Sequence, residues 1–388
     1  MPNFSGVWNL KDQVQAIAAG RWTGVPAGNF LYTWGANGEG QIGNSTRLVN
    51  YSSPVQIGAD TNWTSVGAGN VGTAAIKDDN TLWTWGVGAF GFLGHNSTVA
   101  RSSPVQVGAL TNWSQVASGY LHTVSVKTDG TLWGWGRNNV GQVGDNSIIN
   151  HSSPVQIGAL TTWSKVAAAR GSSSNGNGSS AIKNDGTLWS WGSNSSGQLG
   201  DGTVVNKSSP TQVGALTTWL DVTLGAFHSM AVKSDGTLWA WGNNGNGELG
   251  DGTTVAKSSP VQVGALTEWA KIGAGANHSL AVRSNGTLWS WGRNNYGQNG
   301  DGTAVAKSSP VQIGALTNWQ SVAAGAFFSL STKTDGTIWS WGYNFRGQVG
   351  DGTVVYRSSP VQIGSLSGWY TVAAGRDHAV AIYQAVTN

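Results

Sequence analysis

The chain has no cysteine, so disulfides, thiolate nucleophiles and thiolate metal ligands are all excluded. Charge is also scarce. Charged residues occupy 10% of 388 positions, the net charge is +3, and Lys and Arg never cluster into a basic run. Nucleic-acid binding needs a concentrated basic stripe or patch, so no nucleic-acid partner is expected. Only three Glu residues occur, Glu39, Glu248 and Glu268, and no pair of carboxylates can be read as a glycoside-hydrolysis set. The phosphate-cradling pattern G-x-x-x-x-G-K-[ST] is missing. These absences argue against an enzyme, and nothing calls for a cofactor. No apolar run of about 18 residues exists, and the opening MPNFSGVWNLKDQ has neither the basic nor the apolar region of a Sec signal. A soluble chain without membrane insertion is expected.

Glycine (58) and tryptophan (22), by contrast, are abundant, and they recur at a fixed period. Trp-Gly pairs stand at Trp34, Trp85, Trp135, Trp191, Trp241, Trp291 and Trp341. Ser-Ser-Pro triplets end at Pro54, Pro104, Pro154, Pro210, Pro260, Pro310 and Pro360, spaced by 50, 50, 56, 50, 50 and 50 residues. A fixed period of this length marks supersecondary modules that bury apolar surface only against their neighbours.

Each module reads as four short strands bounded by Gly, Pro, Asn or Asp, for instance 320–324, 329–333, 337–341 and 360–363. The second and third are joined by Asp335-Gly336, matched by Asp129-Gly130, Asp185-Gly186 and Asp235-Gly236, and a tight turn with positive φ at both positions is expected. Four antiparallel strands repeated radially make a propeller blade. The Ala- and Gly-rich first strand suits the crowded centre. Trp339 and Trp341, two apart, share one strand face and are expected to pack against the next blade, while Trp319 fills the gap between blades. Six complete blades fit between 63 and 363. Strands 370–374 and 379–383 should then join 31–34 and 54–57 in a seventh blade shared by both termini. The expected fold class is an all-β, seven-bladed β-propeller over 30–388, preceded by a leader, 1–29.

The motifs W-G-x-N-x-x-G-Q-x-G-D-G-T, S-S-P-V-Q-[VI]-G and A-x-G-x-x-H-S-x-A-V-K-x-D-G together resemble the RCC1 repeats of the regulator of chromosome condensation family. The resemblance spans about residues 29–383 and implies a seven-bladed propeller. Kelch repeats have a similar period, but the chain contains no Gly-Gly pair. The best-known family member promotes nucleotide exchange on the small GTPase Ran and binds chromatin. Its β-wedge has no counterpart here, since the only insertion, RGSSSNGNGSS at 170–180, has no apolar residue. In the leader, Ser5-Gly6-Val7-Trp8-Asn9-Leu10 and Ala18-Ala19-Gly20-Arg21-Trp22 resemble a short segment preceding varied domains in structural proteins of marine phages. Trp8, Leu10 and Trp22 are therefore candidates for attachment to other virion proteins, or for capping the ring.

His122, His228, His278 and His378 recur at one repeat position, which suits structural hydrogen bonding better than an asymmetric catalytic site. The Asp-Gly-Thr segments carry one carboxylate each and read as turns rather than calcium loops, and no other metal site is expected. Binding is sought where the repeats disagree. Phe90, Phe92, His95, Arg170, Tyr343, Phe345, Arg346, Tyr356 and Arg357 replace the usual polar residues in loops expected on one rim. The expected function is a phage virion component, a tail fibre or other surface protein, that recognises a host-surface glycan or protein through that rim. The alternative is a cellular protein-interaction scaffold, with guanine-nucleotide exchange on a small GTPase as its narrowest form.

Overall fold

A computed structural model describes residues 27–171 and 177–385. They form seven four-stranded antiparallel sheets arranged as the blades of a ring. Blades 1 to 6 span 63–106, 113–156, 163–212, 219–262, 269–312 and 319–362. Blade 7 combines 369–385 with 28–56, in the sheet order Tyr51–Gln56, Gly28–Gly35, His378–Ala385, Trp369–Ala374. Both ends of the propeller are thus clasped by backbone pairing, with Gly28 opposite Ala385 and Gly35 opposite His378. The innermost strands, lettered A, touch one another around the axis, and strands B, C and D follow outward. In blade 6 these are Trp319–Ala324, Phe328–Lys333, Ile338–Gly342 and Arg357–Gln362. Strand D begins three residues before the expected 360, because its first residues pair with strand C across an irregularity at Ser340/Gly342.

The Asp-Gly turns differ from expectation. In blade 6, Gly336 N donates to Lys333 O (2.9 Å) and Lys333 N to Thr337 O (2.9 Å), and only Gly336 has positive φ (78°). This is a three-residue hairpin, a common turn followed by one left-handed residue. Asp335 earns its place with its carboxylate instead, accepting from Thr337 N (2.9 Å) and Thr337 Oγ1 (2.6 Å).

The core lies between blades. Trp341 packs with Trp319 and Ala324 against Leu280, Val282, Leu288 and Ile313, so it faces the preceding blade rather than the following one. Its Nε1 donates to Gln298 O of that blade (2.9 Å). The same bond recurs at every junction: Trp85 to Gln41, Trp135 to Phe92, Trp191 to Gln142, Trp241 to Gln198, Trp291 to Glu248 and Trp34 to Gln348, all at 2.9–3.0 Å. The glycine two residues beyond the acceptor is required by this contact. A Cβ on Gly300 (φ 77°) would stand 2.6 Å from Trp341 Nε1. The G-Q-x-G and W-G motifs are therefore the two halves of one joint.

Beside four of the joints, histidines join the same network. His278 Nε2 meets Ser329 Oγ (3.0 Å), and Ser329 Oγ donates to Gln298 O (2.8 Å). His122, His228 and His378 make matching bonds to Ser179, Ser279 and Thr73. Because each hydroxyl spends its proton on the carbonyl, each imidazole must carry its proton on Nε2. The three junctions without histidine are filled differently. Phe328 faces Ala379, which has no hydroxyl to satisfy; Phe92 occupies the space over Gly72; Gly178 leaves a water-sized void.

Burial holds His122 and His228 at about 4, and His278 and His378 at about 3. An unfolded histidine titrates near 6.5. The unfolded chain thus binds more protons below about pH 6.5, and stability falls with pH from there to about pH 4, by roughly 1.4 kcal/mol per unit per histidine. Thermal melts should show a constant Tm above pH 7 and a steep decline between pH 6.5 and 4, reduced in His278→Phe. Gly178 has no neighbour within 3.6 Å of a built Cβ and no positive φ. Gly178→Ala should accordingly stabilise by about 0.5–1 kcal/mol, read as a raised urea midpoint.

Candidate partner-binding rim

The A–B and C–D loops emerge together on one end of the ring, as the strand order requires. Tyr343 N of a C–D loop donates to Phe327 O of the A–B loop beside it (2.9 Å). Neighbouring A–B loops are also joined around the central axis, by Asn70 N to Gly119 O, Tyr120 N to Ala169 O, and Ala326 N to Arg376 O (3.0–3.1 Å). This end is therefore a braced surface on which side chains can be held in fixed relation.

Over blades 5 and 6 the loops assemble an aromatic cluster. Tyr343 lies 4.9 Å from Tyr296, 4.9 Å from Tyr356, 6.4 Å from Phe327 and 6.5 Å from Phe345. The Arg293 guanidinium stands 5.2 Å over Phe327 and 5.9 Å from Tyr296. Phe345 is 66% exposed and Tyr356 44%, and Arg346 is exposed beside them. Burial and the neighbouring Tyr356 push the Tyr343 hydroxyl up, keeping it neutral. Beneath the edge, burial also pushes Asp377 up, against the opposing pull of Arg376 and Arg346. A smaller cluster sits over blades 1 and 2, where the Arg137 guanidinium lies 5.3 Å from Phe90 and 5.9 Å from Tyr120.

Four of the residues expected on this surface lie elsewhere. Phe92 is buried (2% exposed) and packs over Gly72 in place of a histidine. His95 is half-buried, its Nε2 meeting Thr84 Oγ1 (3.0 Å) and Val105 O (3.2 Å), at the outer edge of blade 1. Arg170 reaches inward, its Nη1 donating to Ala324 O of blade 6 (3.3 Å). Arg357 opens an outer strand and is paired with Asp351 at 2.6 Å. Phe90, Tyr343, Phe345, Arg346 and Tyr356 are on the rim. Trp8, Leu10 and Trp22, the attachment candidates, fall outside the described residues.

The sequence reading missed Tyr120, Arg137, Arg293, Tyr296 and Phe327, and it missed a feature of every repeat. Each C–D loop carries an exposed aliphatic residue, namely Leu48, Val99, Ile148, Val205, Val255, Val305 and Val355, between 57% and 84% exposed. A Val, Leu or Ile a few residues ahead of each Ser-Ser-Pro triplet, in a segment with no strand pattern, was the available signal. They stand one to a blade around the ring, and exposed aliphatics spaced singly in this way are ordinary on a protein surface. Among the described residues no three His, Cys, Asp or Glu side chains gather as a metal site would require, and no helix is long and apolar enough to cross a membrane.

Comparison with known proteins bears on the fold. The family model described as the RCC1-like domain matches residues 177–381, and that of the regulator of chromosome condensation (RCC1) repeat matches 29–76, 79–126 and 129–174. Nothing matches among curated proteins. Among solved structures, human WBSCR16 is similar with a TM-score of 0.81 at 21% identity, covering 92% of this chain and 99% of that one. Prp20p from Saccharomyces cerevisiae gives 0.81 at 19% identity, covering 94% and 93%. Yeast RCC1 (Prp20) bound to Kap60 gives 0.81 at 18%, covering 94% and 90%.

Two phenylalanines in matching loops separate core from surface. Phe92→Ala should destabilise by about 3–5 kcal/mol, and Phe345→Ala in the matching loop of blade 6 should stay within about 0.5 kcal/mol of wild type, measured by chemical denaturation.

Proposed function

Because the chain belongs to the RCC1-like domain family, we propose that it is a non-enzymatic scaffold that binds a partner protein through the rim of its A–B and C–D loops. The observation that carries this reading is the aromatic and arginine cluster of Tyr296, Phe327, Tyr343, Phe345, Tyr356 and Arg293, in which Phe345 and Tyr356 are exposed and the others half-buried. Tyr and Arg dominate interface energetics because they bury large area at low conformational cost. The cluster is also prearranged by ring-to-ring contacts, which lowers the ordering cost of association. Protein partners appear in the descriptions of the similar yeast structures: Prp20p was characterised for binding to Gsp1p and histones, and a complex with Kap60 is known.

Guanine-nucleotide exchange on a small GTPase is the narrower form of this reading. A virion role, with other virion proteins held by 1–29 and a host-surface glycan or protein held by the rim, draws on leader residues outside the described ones.

Affinity purification with the full chain and with Phe90→Ala/Tyr343→Ala/Phe345→Ala/Arg346→Ala, matched for melting temperature, tests the proposal. A protein retained by wild type should be weakened about ten- to hundredfold in the variant. Equal retention by both would place recognition elsewhere. A nucleotide-free small GTPase run in parallel separates exchange from simple scaffolding: saturable binding abolished by added nucleotide supports the narrower form.

A further inference from the structure

Away from the rim, the outer edge of the ring carries a second kind of site. Between blades 5 and 6 lies a cleft of about 660 Å³, lined by Asp301, Lys307, Gln312, Leu316, Trp339 and Ser359 among others. An equivalent cleft of about 530 Å³ lies between blades 1 and 2, where His95, Arg101, Gln106, Leu110, Trp133 and Ser153 take the matching places. Both volumes are in the range of small-molecule sites. The repeat supplies the 5–6 set again, residue for residue, at two more junctions: Asp201, Lys207, Gln212 and Trp239, then Asp251, Lys257, Gln262 and Trp289.

We propose that these three consecutive clefts bind neutral pyranose units of a glycan. At the 5–6 junction the cleft combines an aromatic wall with polar side chains, and the other two junctions repeat those residue types. Trp339 lines the cleft, and its Nε1 is already spent on Thr337 Oγ1 (2.9 Å), so the indole offers a ring and not a donor. The indole also packs against the core between blades 5 and 6, with Lys333 Nζ 3.7 Å over the ring and Trp319 edge to face at 6.0 Å. Asp301 Oδ1 is committed to Thr303 and Asn294. Its Oδ2 faces Lys307 Nζ at 3.5 Å. The pair thus sets an acceptor beside a donor, an arrangement that vicinal hydroxyls on a pyranose ring complement, one donating and its neighbour accepting. At the 3–4 junction the Asp201 side chain is only 5% exposed, and its Oδ2 accepts no hydrogen bond, with Lys207 Nζ at 3.4 Å. Of that pair, Lys207 is the more exposed and presents the donor to a ligand hydroxyl.

The chemistry also selects against other occupants. The Asp–Lys pair leaves the cleft without excess charge, which favours a neutral sugar over a uronate or sulfated one. Three like clefts on one rigid edge would also raise the avidity for a branched or repeating glycan above that of any single cleft.

The test uses the full chain on an array of neutral mono- to tetrasaccharides, with decaproline as the counter-probe. Lys→Ala and Gln→Ala at 207, 212, 257, 262, 307 and 312 remove the polar walls while leaving the tryptophans in place. At least one neutral saccharide should be retained, competed by its free form, and weakened at least tenfold in this variant. The rim variant described above should bind that saccharide like wild type, which separates this site from the proposed protein interface. If the six-residue variant fails to fold, Gln312→Ala alone should lower the calorimetric stoichiometry by one site. No retention of any neutral saccharide, unchanged retention in the cleft variants, or binding of decaproline to the same clefts would overturn the proposal.

Discussion

The ring depends on one hydrogen bond repeated seven times, from the indole of a strand-C tryptophan to a main-chain carbonyl in the C–D loop of the preceding blade. Neither partner can be satisfied within its own blade, and both are buried. Losing the neighbour would strand a buried donor and acceptor, and would also expose an indole of roughly 150–250 Å². At about 25 cal/mol per Å² that indole alone is worth about 4–6 kcal/mol. No blade is therefore a folding unit by itself. The shared seventh blade carries the same logic to the termini, where Trp34 donates to Gln348 across a sequence separation of 314 residues. Closure there leaves no open blade face at which the ring could begin to separate.

The histidine network is subordinate to that bond. Four junctions route the carbonyl's second lone pair through Ser or Thr to an imidazole, while three do without the imidazole and keep the tryptophan bond unchanged. Phe328 with Ala379, and Phe92 with Gly72, show that the space is filled as a matched pair, polar with polar or apolar with apolar. A half-satisfied pair in this setting would cost more than either alternative.

Most of the architecture was legible because the repeat converts a folding problem into a counting problem. Blade number, strand order, the inner position of the Ala-rich strand and the mixed seventh blade all follow from spacing. Turn type was not legible: Asp-Gly fits two hairpin geometries, and the choice was made by the carboxylate of Asp335 reaching Thr337. Nor was burial in the loops. Phe90 and Phe92 look alike in sequence, yet Gly72 makes room for only one of them. That information is held by a residue some twenty positions away, on another strand. The rim cluster was half visible for the same reason, since Tyr296 joins Tyr343 across a blade boundary and Phe327 joins it from another loop of the same blade.

The division of labour between repeated and variable positions follows from the joint. Residues that make it, the Trp-Gly pair and the two glycines of the Gly-x-x-Gly loop, recur in every blade, whereas the residue that lends its carbonyl can be Gln, Glu or Phe. The C–D loop tip lies beyond that constraint, anchored at its base by the Asn carboxamide and the Asp-Thr turn, as Asn344 and Asp351 hold it in blade 6. Its tip can therefore carry Phe345 and Arg346 in one blade and small polar residues in another at little structural cost. The outer clefts are the opposite case: built from the repeated positions themselves, they come in sets. A surface made from the variable tips suits one asymmetric partner, whereas a surface made from the repeated joints suits a ligand that is itself repeated. The two kinds of site can coexist on one ring because the joint that separates the blades also separates their walls.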